Sequence, residues 1–232
     1  VIASWREFWD RPHRIYVNDR HRALHYAQVA TDIISEIPHS HAVILDYGCG
    51  EALEADRIAE HCRQLYLCEA APSMRDVLRV RFAENARVVV IPPEGINILP
   101  DGSLNLVVMN SVLQYLTRDE TTTLLARLHA KLAKDGRLVL ADLVPPGSSI
   151  VADASSLLGT AMRGGFFFPA LGGLAATLAS DYRRLRQEIG LTTYREAEMR
   201  ALLRETGYGS ERRVRNFGFN QRRMTIIAWP MR

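Results

Sequence analysis

Asp46, Gly48, Gly50 and Glu69 are the residues whose types and spacing suggest chemistry first. The stretch Val43–Ala52, VILDYGCGEA, runs three apolar residues into an acid and, one residue on, into Gly-Cys-Gly. That order reads as a buried parallel strand followed by a tight turn. Glycine suits such a turn because a Cβ would block both the bend and the close approach of a ligand. A helix is expected over 51–62, presenting its first N–H groups above the turn. Glu69 closes the next apolar run, Leu65–Cys68. An acid after the second strand can accept hydrogen bonds from both ribose hydroxyls of an adenosine. The full dinucleotide fingerprint needs a third glycine opening the helix, and that position holds Leu53.

These residues must be positioned by alternating strands and helices. Strands are expected at 42–46, 65–68, 87–91, 104–109 and 138–143, with helices at 72–83 and 120–133. Pro72 suits a first helical turn, and Gly136 reads as the C-terminal cap of the helix before it. A last helix over 194–205 and two strands, 211–217 and 224–229, finish the pattern. Alternation of this kind specifies a parallel sheet with right-handed crossovers, and ligands bind at the carboxyl ends of its strands. Asp46, Glu69, Met109–Ser111 and Asp142 all fall at such ends.

LDYGCGEA (45–52), LYLCEA (65–70), INILPDGSLNLVVMNSVLQYL (96–116) and LAKDGRLVLADL (132–143) together resemble the motifs of class I, Rossmann-like, S-adenosylmethionine-dependent methyltransferases of the small-molecule type. The resemblance covers roughly 40–145. It implies an α/β fold: a doubly wound seven-stranded sheet, mostly parallel with an antiparallel last strand, and helices on both faces. N-terminal helices and an apolar helical lid insertion complete it. The implied organisation is a helical cap (1–41), a cofactor-binding core (42–146), a lid (147–193) and a C-terminal helix with the final strands (194–232). The implied cofactor is S-adenosyl-L-methionine, leaving S-adenosyl-L-homocysteine as product.

The resemblance also assigns residues. Asp46 acts near the methionine end, directly or through turn N–H groups, and Gly48, Cys49 and Gly50 let the backbone approach closely. Glu69 and Ala70 serve the ribose and its surroundings. The family's usual adenine-side acid is displaced, so Glu94 or backbone groups near Gly95 take its place. Asn110 and Ser111 pass beneath the methionine part. Many members have a glycine where Ala52 stands, and Asn105 replaces an acid usual in strand four; Asn105 reads as a structural amide. Gln114 and Tyr115 face either pocket or surface. Among N-terminal residues Tyr16, His21, His25 and Tyr26 are either lid residues or packing. His25 and Tyr16 are the candidates for a proton acceptor or acceptor-orienting group, and Tyr47 or Tyr16 could lie against the sulfonium.

Composition bounds the rest. Hydrophobic residues make up 47% and charged residues 24% of 232 residues, ordinary for a globular chain. Cys49, Cys62 and Cys68 cannot all pair and form no C-x-x-C, which fits a reducing compartment. The opening VIASWREFWDR lacks a signal peptide's features, so a cytoplasmic protein is expected. Trp5, Phe8 and Trp9 fall at helical spacing, and 20–37 reads as a second helix. The scattered histidines suggest no metal site.

After Val144-Pro145-Pro146-Gly147 the composition shifts. GGFFFPALGGLAATLAS, 164–180, holds no charge but is too short and too rich in Gly and Pro for a membrane span. An apolar lid suggests a hydrophobic small-molecule or lipid-like acceptor; a dimer interface and peripheral membrane docking are the competing readings, so monomer and homodimer both stay open. The segment 181–232 carries twelve Arg against six acids. An RNA methyltransferase is therefore one alternative, although basic-aromatic interleaving is slight and nucleic acid is not the expected partner. A cofactor-binding protein without methyltransferase activity is the other.

Overall fold

The structure is a computed structural model that describes residues 4–11, 16, 18–148 and 190–231. The apolar run 164–180 and the Arg183, Arg184 and Arg186 cluster lie outside the described residues. Seven strands form one sheet: β1 (Val43–Tyr47), β2 (Gln64–Cys68), β3 (Val88–Ile91), β4 (Leu104–Asn110), β5 (Leu132–Leu143), β6 (Tyr208–Arg212) and β7 (Met224–Pro230). Their order is β3-β2-β1-β4-β5-β7-β6. β7 runs antiparallel to both of its neighbours, β5 and β6, and the other pairings are parallel. The strand order reverses between β1 and β4, which opens a crevice at their carboxyl ends.

Period-two alternation divides the core. Leu45, Val107, Met109, Leu138 and Leu140 point to one face, where α5 (Arg118–Lys131) and α6 (Glu196–Glu205) bury Leu125, Leu128, Met199 and Leu203. Ile44, Leu65, Leu67, Leu106, Val108 and Val139 point to the other. There α2 (Asp19–Glu36), α3 (Ala55–Ala59) and α4 (Pro72–Arg81) contribute Ala30, Ile33, Ile58 and Leu78. Pro72 opens α4 as expected. A reciprocal Thr117–Glu120 capping box starts α5, and Asn105 Oδ1 accepts from Val43 N–H at 2.9 Å, a structural role for that amide.

Three local expectations need correction. The helix after the glycine turn begins at Ala55, not at 51, and is only five residues long. β5 begins at Leu132, so Gly136 is no helix cap. It lies in a bulge where the register shifts between Leu104↔Leu132 and Leu106↔Arg137, and a Cβ there would sit 2.7 Å from the Leu104 carbonyl oxygen. β6 occupies Tyr208–Arg212 rather than 211–217, because Tyr208 is the residue that buries its ring, with Oη donating to the Leu125 carbonyl at 2.9 Å.

The amino-terminal segment is tied down at both of its helices. α1 (Trp5–Trp9) buries Trp5 and Phe8, and Ser73 N–H donates to Asp10 Oδ1 at 2.9 Å just beyond its end. α2 is fixed to the far side of the sheet, where Gly218 N–H donates to Asp32 Oδ2 at 2.7 Å and Arg213 pairs with the buried Glu36. We expect Gly136→Ala to destabilise the fold by about 1–3 kcal/mol, since its contact is backbone that cannot swing aside; urea unfolding of the two proteins measures this.

Candidate functional site

At the end of β1 the chain turns through Gly48 and Gly50 in left-handed conformations, φ 76° and 58°. A Cβ on Gly48 would run into Val112. Every amide of this turn is engaged by the protein. Gly48 and Cys49 N–H both reach the Cys68 carbonyl, at 2.7 and 3.3 Å. Gly50 N–H donates to Glu69 Oε2 at 3.0 Å, and Glu51 N–H donates to Tyr26 Oη at 3.0 Å. Glu69 Oε1 accepts from Ala71 N–H at 2.9 Å. Because α3 starts late, it is the turn itself, braced by Glu69 and Tyr26, that faces the crevice. Ala52 takes a left-handed φ of 45°, a conformation that costs a non-glycine residue about 1–2 kcal/mol and explains why glycine is common there.

Above the turn lies a cavity of about 560 Å³, lined on its other sides by residues of α1 and α2. Of the residues singled out from sequence, Asp46, Gly48, Cys49, Gly50, Glu69 and Ala70 line it along β1 and β2. Asn110 and Ser111 line it from β4, Glu94 from the 3-10 turn Pro93–Ile98, and Tyr16 and His25 from the α2 side. Gly95 is not on its wall; it is buried, and a Cβ there would meet Ile91 at 3.0 Å, so between the two adenine-side candidates the structure brings Glu94 to the cavity. Gln114 and Tyr115, open between pocket and surface, both line the cavity, as does Tyr26, whereas His21 does not reach it.

Residues 45–140 match the family described as methyltransferase domain. Over those residues the chain resembles a methyltransferase domain. Among curated proteins, none matches this sequence. Solved methyltransferase structures share the fold of this chain. A chain from a complex of the Haloferax volcanii Trm112 methyltransferase activator with its methyltransferase aligns over 100% of both chains, with 12% identity and a TM-score of 0.61. Magnesium protoporphyrin IX methyltransferase of Synechocystis, with S-adenosylhomocysteine bound, aligns over 97% of this chain and 92% of its own (15% identity, TM-score 0.55). Phosphoethanolamine N-methyltransferase 1 of Haemonchus contortus aligns over 62% of this chain (22% identity, TM-score 0.51), and the match spans 32% of that enzyme's length.

The cavity has the size and polar groups to take an adenosyl cofactor. Its volume lies within the usual range for ligand pockets, about 300–1,000 Å³. Each Glu69 oxygen takes one backbone N–H and keeps a second lone pair for a hydroxyl. Beside it, burial and then the charge of Glu69 push the Asp46 carboxyl up to about 7. Burial raises the Cys49 and Cys68 thiols, leaving them protonated and not nucleophilic. Burial lowers His25 to about 4, so its imidazole is neutral near pH 7. Tyr16, whose ring lies 5.4 Å from that of His25, is raised by burial and stays a phenol, as does Tyr47, pushed up to about 12. Among the described residues no three His, Cys, Asp or Glu gather as a metal site, and no helix there is long and apolar enough to cross a membrane.

Sequence reasoning passed over a polar network on the cavity floor. Ser111 Oγ donates to Asp142 Oδ2 at 2.7 Å, and Arg223 Nη1 donates to the same oxygen at 3.0 Å and to Gln114 Oε1 at 3.0 Å. Asn216 Nδ2 reaches Asp142 Oδ1 at 3.3 Å, while Asp142 N–H donates to Asn216 Oδ1. Asp142 sits where the β5–β7 register shifts, at φ 59°, and Ser111 sits at φ 58°. Two adjacent non-glycine residues of neighbouring strands are thus held left-handed, as at sites whose surroundings over-determine them. Asp142 was legible as a strand-end acid; Arg223 gave no signal, being one arginine among many just before β7. Trp5 and Trp9, whose only trace in the sequence was helical spacing, line the cavity beside Tyr115, which the sequence had left open between pocket and surface.

A carboxyl raised in the folded state binds a proton that the unfolded chain has released. Its stabilising contribution is therefore full below pH 4 and lost as pH rises through 7. His21 and His25, both lowered to about 4, act in the opposite sense, since their contribution is lost as pH falls. Comparison with Asp46→Asn isolates the acid. We expect the stability of that variant relative to wild type to rise by about 2–3 kcal/mol between pH 5 and pH 8, read from urea unfolding at each pH.

Proposed function

We propose that this protein transfers a methyl group to a small, largely hydrophobic acceptor by in-line displacement. One observation carries the reading: a single cavity joins the paired acids at the ends of β1 and β2 to apolar and aromatic walls. Glu69 holds the ribose hydroxyls through its second lone pairs, with Ala70 and Glu94 toward the base. Asp46, Asn110 and Ser111 serve the methionine end, where Asp46 offers a carboxylate to cationic groups, and Gly48 and Gly50 admit close approach.

S-adenosylmethionine, held by Glu69 at its ribose and by Asp46 and the Gly48–Gly50 turn at its methionine end, would supply a methyl group already activated on a sulfonium for displacement by the acceptor. The protein's part is mostly positioning and exclusion of water. α1 covers the cavity and its Trp5 and Trp9 keep that side apolar. Neutral His25 accepts a hydrogen bond from the acceptor and, with the Tyr16 phenol, orients it; a histidine this weakly basic is a better orienter than proton acceptor. The charge-free composition of 164–180 favours the same acceptor polarity.

The alternatives gain less. Ala52 adopts the left-handed turn that glycine would, which removes the reason to doubt the cofactor turn. The RNA reading needs free arginines in the C-terminal part. There Arg195 pairs with Glu198, Arg200 and Arg212 with Glu196, and Arg213 with Glu36, so part of that charge has acidic partners within the fold. Calorimetric titration with S-adenosylhomocysteine tests the cofactor site. We expect micromolar affinity, weakened by about 10–100-fold in Glu69→Ala. Unchanged affinity in that variant, or no binding by the wild type, would count against the assignment.

A further inference from the structure

α2 grips the glycine turn at a single residue, Glu51, through two side chains. Arg22 and Tyr26 lie four apart on α2 and so share a face. Arg22 Nη1 meets the Glu51 carboxylate at 3.3 Å, and Tyr26 Oη accepts from Glu51 N–H at 3.0 Å. The second glycine of the turn leaves room for that hydroxyl, since a Cβ on Gly50 would sit 3.1 Å from Tyr26 Oη. Tyr26 is thereby held against the turn, and it lines the cavity there.

A phenol accepts through its oxygen and donates one O–H. The Tyr26 oxygen takes Glu51 N–H, and the Tyr16 hydroxyl is hydrogen-bonded to it as well, its proton held more firmly for that. Burial pushes the Tyr26 phenol up to about 12, so its own proton stays in place at neutral pH. Among the described residues no carboxylate or backbone carbonyl accepts that proton. The neighbouring amides are in the opposite condition. Gly48 and Cys49 N–H go to the Cys68 carbonyl, Gly50 N–H to Glu69, and Ala52 N–H to the Cys49 carbonyl at 3.3 Å. α3 starts only at Ala55 and runs for five residues, too short to offer an anion its amino terminus. A ligand anion at this turn therefore finds the amides of residues 48–52 engaged and one neutral donor beside them, the Tyr26 hydroxyl.

We propose that Tyr26 binds the carboxylate at the amino-acid end of the cofactor through its phenolic O–H, with Glu51 N–H fixing the phenol oxygen and Gly50 making room for it. The inference rests on the methyltransferase reading above, which puts the methionine part at Asp46 and the Gly48–Gly50 turn. It divides the charges of that part: Asp46 serves the cationic groups and Tyr26 the anionic one. A neutral donor suits this place. Its hydrogen bond to a charged acceptor is stronger than one between neutral groups, and it brings no second cation beside the sulfonium.

The test is calorimetry on the full chain with two probes, S-adenosylhomocysteine and its decarboxylated counterpart, which keeps the ammonium and lacks only the carboxylate. The wild type should bind S-adenosylhomocysteine at least about tenfold more tightly than the decarboxylated probe. Tyr26→Phe should bring the two to near-equal affinity, with binding of the decarboxylated probe as the check that the variant is folded. A phenol that only braced Glu51 would weaken both probes alike when removed, so a preference that survives in Tyr26→Phe would overturn the proposal. Equal affinities in the wild type would overturn it too, and that comparison needs no variant, so it decides even if Tyr26→Phe fails to fold. A wild type that binds neither probe overturns the cofactor-site reading and this inference together, whereas binding of both without preference overturns this inference alone.

Discussion

The Glu69 carboxylate clasps two turns that the chain could otherwise set independently. One oxygen takes Gly50 N–H from the β1 turn and the other takes Ala71 N–H from the turn after β2. The left-handed Gly50 is what aims its amide at that oxygen. Much of the site follows from this clasp. It orders the loop that carries Glu51 N–H to Tyr26, and so links α2 to the cavity mouth. It also pins a negative charge beside buried Asp46, part of why that acid holds its proton to about pH 7. One carboxylate thereby sets backbone shape, helix placement and the proton affinity of its neighbour.

Much of this was legible in the residues, for a local reason. The ends of β1, β2 and β4 are marked by an apolar run meeting glycine or acid, and such a boundary is visible within a few residues. Asp46, Glu69, Asn110 and Ser111 were found that way, and all line one cavity. Tyr16 and His25, chosen by position alone, line it too. The failures share a different cause. Gly136 looks like a helix cap because the apolar pattern of α5 runs on past its end, but the approach of Leu104 across the sheet decides its role. Gly95 looked adjacent to the adenine side only because it follows Glu94 in sequence. Arg223 is indistinguishable from other arginines until β7 pairs with β5.

The two sides of the cavity are made differently. The β1–β2 side is held mainly by backbone N–H donors and tolerates side-chain variety, as Ala52 illustrates. The β4–β5 side is held by side chains, Ser111, Gln114, Asp142, Asn216 and Arg223, on a backbone bent by a bulge.

That second arrangement has a consequence for how the chain acquires its shape. Arg223 lies 81 residues beyond Asp142 and is carried in on the strand that sits between β5 and β6. Until that strand docks, the Arg223–Asp142 pair cannot form and the β6–β7 ladder cannot close. Contacts of such long separation close late, after the entropy of a long loop has been overcome. The β4–β5 side of the cavity is thus completed in the same event that finishes the sheet, after the parallel strands have already set the turn that Glu69 braces.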